Sequence, residues 1–596
     1  MCNFLMVRSR RTALAATFLV PLAGGALAQS ADSRSTADIE KENAALRAKI
    51  HRLEAEKENI GLRAKVDQLQ GHRPVQTAGA ETAQVVPRPL VTHIETSAPD
   101  RTLVMADMPM KAAPIPVPYY SWTGFYLGGN IGYGVGIDRT QSSNSFPGAV
   151  NASAGDTVVT PAGAIGGVQL GYNWQGRSNG LVGFEADFQG SDQKATSCTH
   201  SCINVPGTGP GTGPNSLTVA HNLDYFGTLR GRVGFVDRGN LFYVTGGGAY
   251  GHINQALDLR ASGAGARFEA SGSASENKFG WVVGAGIESS LGGNWTAKAE
   301  YLYMDLGSTT STLTGVLPAA VAQVTSPFAF TATSRLHDNI VRAGVNYRFG
   351  PRSAPASAYD AMAAVPPPIY SWTGFYVGAN VGYGFANDHS QVDFVPAAFG
   401  TSDPGTSVTP KGVLGGVQLG YNWQAGPHWL AGFEADLQGT RQDDTACSSL
   451  FCVSQTAFGT SDTQAISIQH QLDYFGTVRG RLGYVANNTL FYATGGAAFG
   501  HVRETIHVNF SGNVTGQIID QGFTKDLAGY VVGGGIEAAL WDGWSAKAEY
   551  LFMNLGNMSN TLDIGVNAPQ PLNSNSTVRD HIVRIGANYH FGAAPY

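Results

Sequence analysis

The sequence predicts an all-β protein: two tandem eight-stranded antiparallel barrels that cross a membrane, preceded by a short α-helical coiled coil. Three observations carry this. Glycine fills 77 of 596 positions and only 14% of residues are charged, a balance that suits glycine-rich β structure and not a helical enzyme. The ribbon "YSWTGFYLGGNIGYG" from Tyr120 returns as "YSWTGFYVGANVGYG" from Tyr370, and the echo continues through "LGYNWQ", "GFEAD", "LDYFGT" and "AKAEYL", mostly at an offset of 249. Within each copy, apolar residues alternate with small or polar ones in segments joined alternately by tight turns and long loops. A barrel in lipid needs that pattern, because an open sheet edge would leave backbone groups unpaired.

The N-terminus comes first in chain order. Arg8, Arg10 and Arg11 precede an apolar run that ends at "ALA" (Ala26–Ala28), which reads as a secretory signal over 1–28 with cleavage after Ala28. The run is too short to span a bilayer, and no later stretch of about 18 apolar residues occurs, so a helical membrane protein is excluded. Over 37–71, Ile39, Leu46, Leu53 and Ile60 fall seven apart, with Ile50 between two of them; "ENAALRAKIHRLE" is echoed sixteen residues later by "ENIGLRAKVDQLQ". This spacing predicts a coiled coil that joins copies of the chain into a homo-oligomer, dimer or trimer, with Asn43 and Lys57 in the seam. Proline-bearing linkers follow at 72–118 and, between the repeats, at 351–368.

The barrels are expected over 119–350 and 369–592. In the first, strands begin near Gly124, Gly163, Gly180, Leu223, Leu241, Phe279, Trp295 and Asp338, each about ten to thirteen residues long, enough to cross lipid. Their faces separate cleanly. Phe125, Leu127, Ile131 and Tyr133 share one side of the first strand; Val182, Phe184 and Phe188 oppose Glu185, Asp187 and Gln189 on the third. The apolar side is expected to face lipid and the charged side the lumen. That places Glu185, Asp187, Arg230, Arg232, Lys298, Glu300, Arg342 and Arg348 inside the first barrel. Glu434, Asp436, Arg479, Arg481, Lys547, Glu549 and Arg584 lie inside the second, with His590 in place of the last arginine. So narrow a lumen should pair these charges into a plug; the other reading is a gated polar path.

Other chemistry is sparse. Cys198 with Cys202, and Cys447 with Cys452, fall in the long loop after strand three, where an exported chain favours local disulfides. "CTHSC" suggests a metal, but the second copy reads "CSSLFC", and two thiols make an incomplete zinc site. His221 with His252, and His470 with His501, are expected near each other at strand ends, as a haem or metal contact or as hydrogen-bonded rim histidines. "GGGAYG" at Gly246 has no helix after it, and no nucleophile elbow, phosphate loop or zinc helix is present. No cofactor is expected and no enzyme. The net charge of −6 with no basic patch argues against nucleic acid.

"YSWTGFYLGGNIGYG", "GVQLGYNWQ", "GFEAD", "LDYFGTLRGRVGF" and "VNYRFG", taken in order, resemble the small outer-membrane β-barrel proteins of alphaproteobacteria, a porin-family group related to the OmpA and opacity barrels. The resemblance implies eight-stranded barrels in the cell outer membrane with termini, and hence the coiled coil, in the periplasm. It implies outer-membrane lipid and the outer-membrane insertion machinery as partners. The function expected is structural or at the surface, with at most limited passage of small solutes. Two alternatives stand beside it: one sixteen-stranded porin made from both repeats, and an outer-membrane enzyme acting on lipid or peptide.

Overall fold

The computed structural model of the chain describes residues 121–349 and 370–591, apart from stretches at 146–151, 155–156, 177–178, 206–212, 238, 264–265, 320–325, 395–404, 458–459, 512–516 and 564–570. The signal segment, the coiled coil and both linkers lie outside the described residues.

In the first repeat the strands are β1 (Gly124–Gly136), β2 (Asp138–Ser145), β3 (Ala152–Ala154), β4 (Thr157–Val159), β5 (Ala162–Gln175), β6 (Gly180–Val205), β7 (Gly213–Asp237), β8 (Asn240–Gly263), β9 (Ala266–Gly292), β10 (Trp295–Leu317) and β11 (Ser326–Phe349). In the second they are β12 (Gly374–Ala386), β13 (Asp388–Phe394), β14 (Thr406–Val408), β15 (Lys411–Ala425), β16 (Trp429–Ala457), β17 (Thr460–Ala486), β18 (Thr489–Ser511), β19 (Gln517–Ala539), β20 (Trp544–Leu562) and β21 (Leu572–His590).

Each repeat closes on itself. β1 pairs with β5 on one side and with β11 on the other, Ile131 lying opposite Ala343, so β1 and β5 to β11 form an antiparallel ring of eight. β12 likewise pairs with β15 and β21, Val381 opposite Ile585, and closes a second ring of eight. The single sixteen-stranded ring is therefore not formed: the opening strand of each repeat spends its free edge on the closing strand of the same repeat.

The strands are longer than lipid requires. β6 has 26 residues and β16 has 29, against about 9–11 for a crossing. On β6 the exposed apolar residues stop at Phe188; Asp192, Lys194 and Thr196 are exposed after it. Stretches expected as irregular loops thus continue the ladders as a collar beyond the apolar band. The transition is marked by bulges at Gly190/Gln193 and Leu223/Tyr225 in the first repeat, and at Gly439/Gln442 and Leu472/Tyr474 in the second. A bulge adds one residue and so exchanges the two faces. On β7, Leu217, Val219, His221 and Leu223 point inward above the bulge, and Phe226, Thr228, Arg230 and Arg232 below it.

At the opposite end the turns are tight. Gly292 and Gly293 connect β9 to β10 with φ of 106° and 59°, and Asn487, whose side chain tolerates the left-handed region, serves the β17–β18 turn with φ of 54°.

Candidate functional site

The interior of each barrel is stacked in layers, and β7 samples them all. At the turn end Trp122, Leu181, Val236, Leu241 and Tyr243 pack together. Next comes a layer of charges, then an apolar layer that includes Phe226, Val282, Leu302 and Ile340. Above the bulge lies a polar layer around His221, and inside the collar a second apolar layer of Leu217, Val219, Leu257, Leu259 and Leu313. The second barrel repeats the sequence.

The charge layer brings together most of the expected residues. Arg230 reaches three carboxylates: Glu185, Asp187 at 2.9 Å and Glu300 at 2.9 Å. Arg342 binds Asp187 at 2.9 Å and Glu300 at 2.7 Å, and Lys298 donates to both oxygens of Glu185 at 2.8 and 2.9 Å. Tyr126 and Tyr243 donate to Glu185 and Glu300 at 2.8 and 3.0 Å. The inner glycines make room for this. A Cβ on Gly171 would run into the Tyr126 hydroxyl, so a side chain there would displace the phenol from Glu185. All of these charged groups are buried.

One member was not among the expected residues. Arg232 pairs with Glu288 at 3.1 Å, and Glu288 also accepts hydrogen bonds from Thr296 and Asn346. With Glu288 the layer balances: Arg230, Arg232, Lys298 and Arg342 are four cations, and Glu185, Asp187, Glu288 and Glu300 are four anions. Glu537 does the same in the second barrel, meeting Arg481 at 3.1 Å, beside Arg479, Lys547, Arg584, Glu434, Asp436 and Glu549. Alternation along β9, which turns Val282, Gly284 and Gly286 inward, carries the signal for Glu288.

Arg348 stands apart from this layer. Its guanidinium donates to the Ser121 carbonyl and lies 5.4 Å from the centre of the Trp122 ring, at the turn end. Its counterpart His590 joins the charge layer, 3.1 Å from Glu537.

The histidines do not meet as expected. His221 faces the lumen and bonds Asp138 at 2.8 Å, while His252 lies on the outer face, stacked on Tyr225 with centroids 5.1 Å apart. The bulge between them puts the two on opposite sides of the wall. His470 is likewise inside and His501 outside, stacked on Tyr474. Among the described residues no group of three His, Cys, Asp or Glu is placed to hold a metal.

His470 differs from His221 in its partners. Its Nδ1 meets Asp388 at 2.8 Å and its Nε2 meets Glu504 at 3.1 Å, whereas the first repeat has Gln255 where Glu504 stands. This collar site lies beyond the apolar band. Burial disfavours the charged imidazole, but the hydrogen bonds it donates to the two carboxylates, together with their charge, outweigh that and raise its pKa to about 9. In the first barrel, His221 Nε2 and Asp338 Oδ1 have no partner, and both residues line a water-sized cavity of about 30 Å³ whose apolar wall includes Leu306 and Leu336.

Cys198 and Cys447 sit on β6 and β16, in strand and not in loop. Cys447 and Cys452, five apart in sequence, lie opposite Ser467 and Ala465, only two apart on β17, so the chain between them is looped out.

A family model described as outer membrane protein beta-barrel domain matches residues 103–349 and again 353–591. The chain is 34% identical over 255 residues to a 31 kDa outer-membrane immunogenic protein of Brucella melitensis, covering 43% of this chain and 94% of that protein. It is 28% identical to a 22 kDa outer membrane protein of Rhizobium leguminosarum, covering 34% and 74%, and 26% identical to a 25 kDa outer-membrane immunogenic protein of Brucella abortus, covering 41% and 87%.

Proposed function

The chain belongs to the outer membrane protein beta-barrel domain family, and from that premise we propose that it is a non-enzymatic surface protein whose two barrels are plugged, not conducting. The observation that carries this is the balanced charge layer, sealed above and below by apolar side chains. Ions in a wide channel are solvated one by one; here every charge of the layer is spent on another, and the desolvation of each is compensated only while its partners stay in place. A solute would have to break into this network of ion pairs and then cross an apolar layer. Such a barrel serves best as a rigid mount that lifts a collar above the membrane. Relatives named as immunogenic fit a collar that faces the cell exterior.

Two further parts complete the reading. The coiled coil over 37–71 lies in the periplasm and gathers chains into an oligomer. The cysteines form local disulfides, Cys198–Cys202 and Cys447–Cys452, that tie the looped-out residues of β6 and β16; the register of β16 against β17 supports the second. Swelling of proteoliposomes in isotonic sugar solution tests the plug. Rates equal to those of protein-free liposomes are expected, and faster swelling that grows with protein content would contradict it.

A further inference from the structure

The outer faces of the barrels are exposed almost everywhere along the apolar band, with Ile131 at 73%. One patch departs from this. Val135, two steps on from Tyr133 on the same outer face, is 2% exposed, and so is Val158, while Phe385 is 1% exposed. They are covered by each other: Val135, Ile137 and Val158 of the first repeat pack with Phe385, Tyr383 and Val583 of the second. Tyr133 stacks on His581 with ring centroids 6.2 Å apart.

Polar contacts surround the patch. Arg139 bridges to Asp444 at 2.8 Å, and Thr160 donates to Asn387 at 3.2 Å. At the turn end, Thr489 donates to Asn240 and Asn487 to the Ser290 carbonyl at 2.9 Å. Several of these residues are equivalent in the two repeats. Val135 and Phe385 each stand eleven residues after the opening glycine of β1 or β12, and Asn240 and Thr489 are 249 apart. Loop ends meet loop ends and turn ends meet turn ends, as in an isologous contact between two copies of one fold. A short ladder then breaks the symmetry: Ala152–Ala154 of the first repeat pairs with Val453, Ser454 and Gln455 of β16.

We propose that the two barrels are a fixed intramolecular pair, docked side by side through equivalent faces, and that the partner each face fits is the other repeat of the same chain. The seam is not set by the linker. It is held by apolar burial at the collar, where water supplies the driving force that lipid does not, and by charge and strand contacts that specify which loop goes where. A self-complementary face used in this way is consumed, so further chains must associate through another surface.

The test uses the full-length protein with a specific protease site inserted in 351–368, folded in the membrane, extracted in mild detergent and cut afterwards. The two fragments should co-elute, and Thr160→Cys with Asn387→Cys should cross-link through a short thiol reagent in at least half of the molecules. Asp444→Arg combined with Phe385→Ser should separate the cut fragments while each still shows a heat-modifiable band, which verifies that both barrels remain folded. Cut fragments of the unsubstituted protein that elute apart, or cysteines that fail to cross-link, would overturn the proposal.

Discussion

At the scale of single residues the lumen is a closed electrostatic account in which one unexpected glutamate restores neutrality. Removing one partner of a buried ion pair leaves its mate desolvated, which costs about 3–5 kcal/mol. Glu288→Gln should therefore lower the unfolding free energy of the protein by about that amount in urea titrations followed by the heat-modifiable band. Glu276→Gln, on a partly exposed collar pair with Lys278, should change it by less than about 1 kcal/mol. Equal effects would show that the layer is not a unit. His470 supplies a second test, through pH. Its folded pKa of about 9 lies above the ordinary 6.5, so the stability it contributes is complete below about 6.5 and is lost as pH rises through 9. The stability gap between the unsubstituted protein and His470→Gln should thus be wide at pH 6.5 and narrow at pH 10; a gap that widens with pH would contradict the assignment. Most of the charge layer was legible because lipid and lumen impose opposite chemistry on alternate residues. Glu288 was equally legible in principle, but it sits where the glycine run of β9 gives way to the turn, and an isolated glutamate there resembles a solvated one. The partners of His221 and His470 were not legible, since they depend on which side of a bulge each residue stands.

At the scale of elements, the strands below the bulges follow the alternation read from the sequence, and the strands above do not. Crossing Leu223–Tyr225 shifts the inward positions from odd to even numbers, so a single period fitted across β7 fails and the collar half looks like loop. Serine, threonine and asparagine on its outer face deepen that impression, although they pair across β10 and β11, as Thr310 does with Thr333. The collar hairpins carry the cysteines. Mass mapping without reduction is expected to find Cys198 linked to Cys202 and Cys447 to Cys452, with no alkylatable thiol in the mature protein; four alkylatable thiols would rule this out. The N-terminal heptads make a separate demand. Polar substitution of Leu46 and Leu53 should lower the assembly state in detergent and leave the heat-modifiable bands unchanged, and an unchanged size would show that the helix is not the oligomeriser.

At the scale of the whole molecule, duplication was plain in the sequence, but whether it produced one wide ring or two narrow ones was not. The answer rests on edge pairing. β1 meets β11 and β12 meets β21 over eleven or more residues each, which leaves the opening and closing strands of each repeat no edge with which to join the two rings into one. Narrow rings are filled by their own side chains, and wide ones are not. Single-channel recording in planar bilayers tests this most directly, with the purified full-length protein beside a variant in which Glu185, Arg230, Glu434 and Arg479 are all serine. Closed, plugged barrels predict a silent membrane for the unsubstituted protein and small, brief openings for the variant. Large, stable conductance steps from the unsubstituted protein would contradict it.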